Sequence, residues 1–187
     1  MSLLLHVGPP TEADVRRCLE AQRAQPLSYG AVGMSARREV PRGFSRRETH
    51  AHLGDGEAVF HRAVRALRSW AVYPRWMTLY PVAPPVARGT VVAIGTGWGL
   101  YTVNLVRVTD VQEGARRFAC VLGTLPQHVL TGEERFSVTW DAANRVVYSI
   151  EAVSRVRHPL VRLGAPAVQL VQARFARDSV RSVRAAL

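Results

Sequence analysis

The sequence predicts an α+β fold, an antiparallel curved β-sheet wrapped around a long C-terminal helix. Three observations carry that expectation. Between Met77 and Arg155 the chain runs as Val-rich and aromatic-rich stretches separated by turns such as Gly95-Thr96-Gly97 and Glu113-Gly114, the pattern of an antiparallel meander. Ahead of the meander, a strand pattern from Phe44 to Leu53 leads into a helix pattern. Behind it, His158 to Leu187 carries an amphipathic stripe able to cover one face of a sheet. Strand, helix, several strands and a long helix make the helix-grip arrangement, which often leaves a cavity between helix and sheet.

Composition sets the bounds. A chain of 187 residues, 48% hydrophobic and 21% charged, has the size and balance of one globular domain, and a single domain over 1–187 is expected, with a short N-terminal helical extension at about 1–26. Such a chain buries roughly 70% of its unfolded surface and needs no metal or disulfide staple. The apolar run Leu3-Leu4-Leu5-His6-Val7 is too short for a signal peptide or a membrane span, so a soluble, cytoplasmic protein is expected. Cys18 and Cys120 are far apart and outside any CxxC pair, which favours reduced thiols. All 25 basic residues are arginine, so phosphate-loop, Schiff-base and Ser-Lys chemistry are excluded. The net charge of +11 favours anionic partners: nucleic acid, anionic membrane or an acidic ligand.

The elements follow in order. Thr11 caps a helix over Glu12 to Ala24, with Asp14 as capping-box partner and Val15, Cys18, Leu19 and Gln22 on one stripe. In the strand at 44–53, Thr49, Ala51 and Leu53 share one face, and Glu48, His50 and His52 the other. Asp55 is expected to cap a helix over Glu57 to Trp70, which buries Val59, Phe60, Ala63, Leu67 and Trp70. Strands are expected near 77–82, 90–96, 101–110, 116–124, 133–141 and 145–154. In the last block Pro166 either interrupts the helix or starts its main part.

Four stretches, LSYGAVG at 27–33, GDGEAVFHRA at 54–63, GTLPQHVLTGEERF at 123–136 and FARDS at 175–179, together resemble uncharacterised protein family 0548. The resemblance spans about Thr11 to Leu187. It implies membership of the Bet v 1-like (START-like) helix-grip superfamily, the architecture reached above from periodicity. That superfamily includes lipid and hormone carriers, polyketide cyclases, hydratases and chaperone activators. The resemblance supplies no catalytic residues.

Period-two alternation assigns the site candidates. Glu134, Phe136, Val138 and Trp140 share the inner face, with Phe118, Cys120, Leu122 and Thr124 on one neighbouring strand and Val146, Tyr148, Ile150, Ala152 and Ser154 on the other. Glu133, Arg135, Ser137 and Thr139 are expected to face solvent. An inward carboxylate has a raised pKa unless it is paired. Glu134 therefore has three readings: shaping the 123–132 loop through backbone N–H groups, orienting a ligand, or acting with His128 as a catalytic acid/base. The ligand-binding set is Trp98, Cys120, His128, Glu134, Tyr148, Ser154 and Ser179, with Trp98 at the rim. Small residues Ala176, Ser179, Ser182 and Ala186 on the closing helix suggest unfilled volume, whereas Val168, Val171, Phe175, Val183 and Leu187 form its apolar stripe.

Arg174, Arg177, Arg181 and Arg184 fall on one side of the last helix as a candidate anion-binding surface. Glu48, His50 and His52 lack a fourth metal ligand and read as a solvated strand face. The run Gly95-Thr96-Gly97-Trp98-Gly99 reads as a hairpin, because a dinucleotide site needs a helix after it. No metal or cofactor is expected. The expected function is non-enzymatic binding of a small apolar or amphipathic molecule. The alternatives are a cyclase- or hydratase-like enzyme using Glu134 and His128, and an arginine surface for nucleic acid or anionic membrane.

Overall fold

The computed structural model describes residues 5–8, 10–98, 100–157 and 165–187. Strands β1 (Leu5–Val7), β2 (Ser45–Asp55), β3 (Thr78–Tyr80), β4 (Val91–Trp98), β5 (Leu100–Gly114), β6 (Arg117–Thr124), β7 (Leu130–Trp140) and β8 (Arg145–Val156) make one antiparallel sheet. Its order is β2-β8-β7-β6-β5-β4-β3, and β1 pairs with the start of β5. The helices are α1 (Glu12–Gln22), α2 (Glu57–Arg68) and α3 (Ala165–Ala185). This is the α+β helix-grip order expected from the sequence. The expected helical residues 158–164 lie outside the described ones, and Pro166 sits at the start of α3.

The sheet carries a core on each face. On the inner face, α2 and α3 pack Phe60, Ala63, Leu67, Phe175 and Val183 onto Phe118, Phe136, Val138, Val146 and Tyr148. Phe136 and Phe175 meet edge-on, with ring centroids 6.2 Å apart, which adds quadrupole attraction to area burial. On the outer face, α1 packs Val15 and Cys18 against Ala93, Val103 and Leu105. The two free thiols therefore lie in opposite cores, where each packs as a small apolar group. Thr11 and Asp14 form the expected capping box at α1, satisfying two N–H donors of the first turn.

Two local expectations change. Gly56, not Asp55, stands at the N-cap of α2 and supplies no side-chain hydrogen bond. The Asp55 carboxylate lies 3.1 Å from His52 instead. The second change concerns the outer face of β7. Glu133 is only 2% exposed and Ser137 is buried as well, so that face does not meet solvent there. The segment 27–37 covers Glu133, as described next. No helix among the described residues is long and apolar enough to cross a membrane.

Candidate functional site

Two of the signature stretches, 27–33 and 123–136, meet at one end of β6 and β7. The Ser28 hydroxyl lies 2.6 Å from that of Thr124 and 2.7 Å from that of Thr131. Ser28 N–H donates to the Thr124 carbonyl, and the Thr131 hydroxyl to the Ser28 carbonyl. Thr124 Oγ1 in turn accepts from Gly132 N–H. Glu133 closes this knot: it accepts from the Tyr29 hydroxyl at 3.0 Å, from Gly33 N–H at 2.5 Å and from Ser35 N–H at 2.9 Å. Arg46 donates to the Met34, Ser35 and Arg37 carbonyls from the other side. A loop thus has its backbone polar groups satisfied by a buried carboxylate and a guanidinium, as burial requires.

Two glycines make the knot feasible. A Cβ on Gly132, whose φ is +150°, would lie 2.1 Å from the Val153 carbonyl oxygen. A Cβ on Gly123 would lie 2.5 Å from the Tyr29 hydroxyl. The loop-shaping role considered for Glu134 is therefore performed by its neighbour, Glu133, and toward residues 33 and 35 rather than 123–132.

Glu134 points the other way. It lines a groove of about 460 Å³ between the N-terminal half of α3 and strands β2, β7 and β8. It also lines a smaller inner lobe of about 70 Å³ with Tyr73, His128 and Ser154. Ala152 and Gln172 belong to both lobes, so Glu134 stands where they meet. Across the sheet, Ala152 lies opposite Glu134 on one side and opposite Arg47 on the other. The small side chain between them leaves the floor open, and two strand spacings put the Glu134 and Arg47 backbones about 10 Å apart. Ala173 and Ala176 of α3 form the roof.

The electrostatics of the inner lobe follow from the partial burial of its polar groups. Burial raises the Glu134 carboxyl from 4.5 to about 7. Among the described residues it has no hydrogen-bond or ion-pair partner to offset this. Burial lowers His128 to about 4. His128 Nδ1 accepts from Leu130 N–H at 2.9 Å, so Nε2 carries the hydrogen of the neutral ring. The Tyr73 hydroxyl is buried with no hydrogen-bond partner among the described residues. Burial first, and the Glu134 charge second, raise it well above its ordinary range.

The sequence-derived residues divide between groove and core. His128, Glu134 and Ser154 line the inner lobe together. Cys120, Tyr148 and Ser179 do not line either lobe; they lie in the packed core beneath α3. There the Tyr148 and Ser179 hydroxyls are 2.8 Å apart. Ser179 is thus filled against rather than hollow, and the open volume sits one to two turns earlier, at Gln172, Ala173 and Ala176. Val171, expected on the buried stripe, is 48% exposed. The side chain of Trp98 lies outside the described residues. Tyr73, Arg47 and Gln172 are site residues that sequence reasoning missed.

The arginine stripe is partly committed. Arg174, Arg177 and Arg181 all donate to Asp178, at 3.3, 3.3 and 3.2 Å, and Arg184 donates to the His52 carbonyl. Arg174 also lies over the Trp76 ring, whose N–H donates to Asp178. On β2, His50 contacts Ser149 and His52 contacts Asp55. Among the described residues, no three His, Cys, Asp or Glu side chains converge as a metal site requires.

Fold and site together define a helix-grip protein whose groove holds an acid with no partner among the described residues. The chain belongs to the family described as a domain of unknown function (DUF1990), whose model matches residues 28–182. It is 33% identical to a UPF0548 protein of Deinococcus radiodurans, over 95% of this chain and 96% of the relative. A UPF0548 protein of Arabidopsis thaliana is 30% identical over 75% and 72% of the two chains. The resemblance to uncharacterised protein family 0548 read from the motifs is thereby borne out. Among solved structures, hypothetical protein jhp0584 from Helicobacter pylori is similar with a TM-score of 0.54 and 14% identity, over 76% of this chain and 86% of that one. The di-domain ARO/CYC StfQ from the steffimycin biosynthetic pathway is similar with a TM-score of 0.52 and 9% identity, over 76% of this chain and 50% of that one. At such identities the likeness is one of fold.

Proposed function

We propose that the protein binds a small amphipathic molecule in the groove between α3 and the sheet, with a polar group of the ligand directed to Glu134. The observation that carries this reading is an inward carboxyl with no partner among the described residues, set in the shared lining of two neighbouring cavities. A group so placed is costly to the fold alone and becomes favourable once a ligand donor reaches it. The volume of about 460 Å³ lies in the range of small-molecule sites.

Native mass spectrometry of the freshly purified chain tests the reading directly, because a retained small molecule would appear as a mass excess lost on denaturation. Thermal denaturation with a panel of amphipathic compounds is the second measurement. A true ligand at 100 times its Kd stabilises by about 2.7 kcal/mol. Glu134→Gln should shift affinity for that compound severalfold while leaving binding measurable. A protein with no retained mass and no compound able to raise its Tm would refute the reading.

A second reading, acid–base catalysis, is favoured by one observation: Glu134 is held near 7, where a carboxyl both gives and takes protons at neutral pH, and neutral His128 lines the same lobe. The ARO/CYC name of StfQ is in keeping with it. Turnover of a bound compound, abolished by Glu134→Gln without loss of binding, would select this reading over simple carriage.

A further inference from the structure

The two ends of the groove differ in charge, and that difference deepens the binding reading above, on which it rests. The inner end holds Glu134, neutral His128 and the Tyr73 hydroxyl. The outer end holds Arg47 and Arg177. Arg47 lies on the inner face of edge strand β2, is exposed, and makes no ion pair among the described residues. Arg177 shares one carboxylate, Asp178, with Arg174 and Arg181, so that three guanidiniums meet one acid. The acid at this end, Glu48, is engaged by Arg46 at 3.2 Å. Between the ends run Ile150, Ala152, Ala173 and Phe175, without a charge.

We propose that the ligand is an amphipathic anion, a molecule with an apolar body, a carboxylate head group and a hydrogen-bond donor at its far end, held with the head group at Arg47 and Arg177 and the donor toward Glu134. Guanidinium favours such a head group because its planar N–H pairs match a carboxylate in two parallel hydrogen bonds. The reverse orientation would bring an anion onto an acidic side chain within low dielectric, where like-charge repulsion is weakly screened. A cationic amphiphile would meet the opposite problem at the mouth.

The test compares three probes with one 10-hydroxylated body and different heads: 10-hydroxydecanoate, 1,10-decanediol and (10-hydroxydecyl)trimethylammonium, each below its micelle-forming concentration. Isothermal titration at pH 8 should give 10-hydroxydecanoate at least tenfold tighter than the other two. The double variant Arg47→Ala/Arg177→Ala should bring 10-hydroxydecanoate to within about twofold of the diol, because both arginines are exposed and their loss leaves the core intact. Arg88→Ala, an exposed arginine just before β4, toward the other edge of the sheet from β2, should leave the preference unchanged. Equal binding of 10-hydroxydecanoate and 1,10-decanediol by the unaltered protein would overturn the head-group assignment while leaving groove binding standing. Loss of the preference in Arg88→Ala as large as in the double variant would overturn it too, since the attraction would then belong to the overall +11 charge. Failure of all three probes to bind would count against the groove reading itself and the inference with it.

Discussion

Glu134 and His128 place opposite pH dependences in the same small lobe. Burial lifts Glu134 from 4.5 to about 7, so between those values the folded chain keeps a proton that the unfolded chain has released. Stability attributable to Glu134 is therefore full below about pH 4.5, falls as the pH rises to 7, and levels off above. The ceiling is about 3 kcal/mol, at 1.36 kcal/mol per unit. His128, lowered from 6.5 to about 4, has the opposite sign: its contribution is present above about 6.5 and is lost as the pH falls through 4. Between pH 4.5 and 6.5 the two slopes offset each other. Glu134→Gln should therefore stabilise the protein at pH 8 by up to about 3 kcal/mol and expose an acid-labile profile below pH 6.5. His128→Gln should give the reverse, a protein more stable at pH 5 than at pH 7. Urea denaturation across pH 4.5 to 8 measures both, and variant curves that merely run parallel to the parent would show that neither group titrates in this window.

One strand, β7, serves two faces with consecutive carboxylates. Glu133 takes three hydrogen bonds in the outer knot, and Glu134 takes none from the described residues at the inner groove. Glu133→Ala should cost about 3 kcal/mol, since it strands two backbone N–H groups and a tyrosyl hydroxyl in a buried site. For a chain of this size that is a fall in Tm of roughly 6 to 12 °C. Glu133→Gln, which keeps one acceptor oxygen, should lose less. Equal losses from the two substitutions would mean that the knot depends on shape and not on acceptors.

The inward direction of Glu134 was legible because alternation on β7 is unbroken from Glu134 to Trp140, with two apolar neighbours on the same face. The burial of Glu133 was not legible: what covers it is an irregular segment about 100 residues away in sequence, and irregular segments carry no period. Arg47 was missed for a related reason. Its strand was read by its apolar positions, Thr49, Ala51 and Leu53, and a charged residue two positions earlier on that same face looked like solvent exposure. Tyr73, in a connection, belonged to no pattern at all.

At the scale of the whole molecule, the surplus of arginine does two different jobs. Arg46 and Arg184 brace the structure by donating to carbonyls, whereas Arg174, Arg177 and Arg181 crowd around Asp178. Composition revealed the surplus but not this division, because hydrogen bonds to carbonyls leave no mark in a charge count. β2 is also an edge strand, and the charges along it discourage pairing with another sheet edge. Asp178→Asn should release the exposed guanidiniums of Arg177 and Arg181, while Arg174 stays over the Trp76 ring. A short DNA duplex should then bind a fewfold more tightly, with a salt slope steeper by about 0.9 for each phosphate newly neutralised. An unchanged slope would place any phosphate contact on another part of the surface.

The adjacency of Glu133 and Glu134 also makes the outer surface a reporter for the groove. Only one peptide unit separates the carboxyl that meets a guest from the carboxyl that tethers the amides of Gly33 and Ser35. Deuterium uptake at those two amides, on the side of the sheet away from any guest, would slow when the groove is occupied. Occupancy could then be followed without a label on the guest and without knowing its identity.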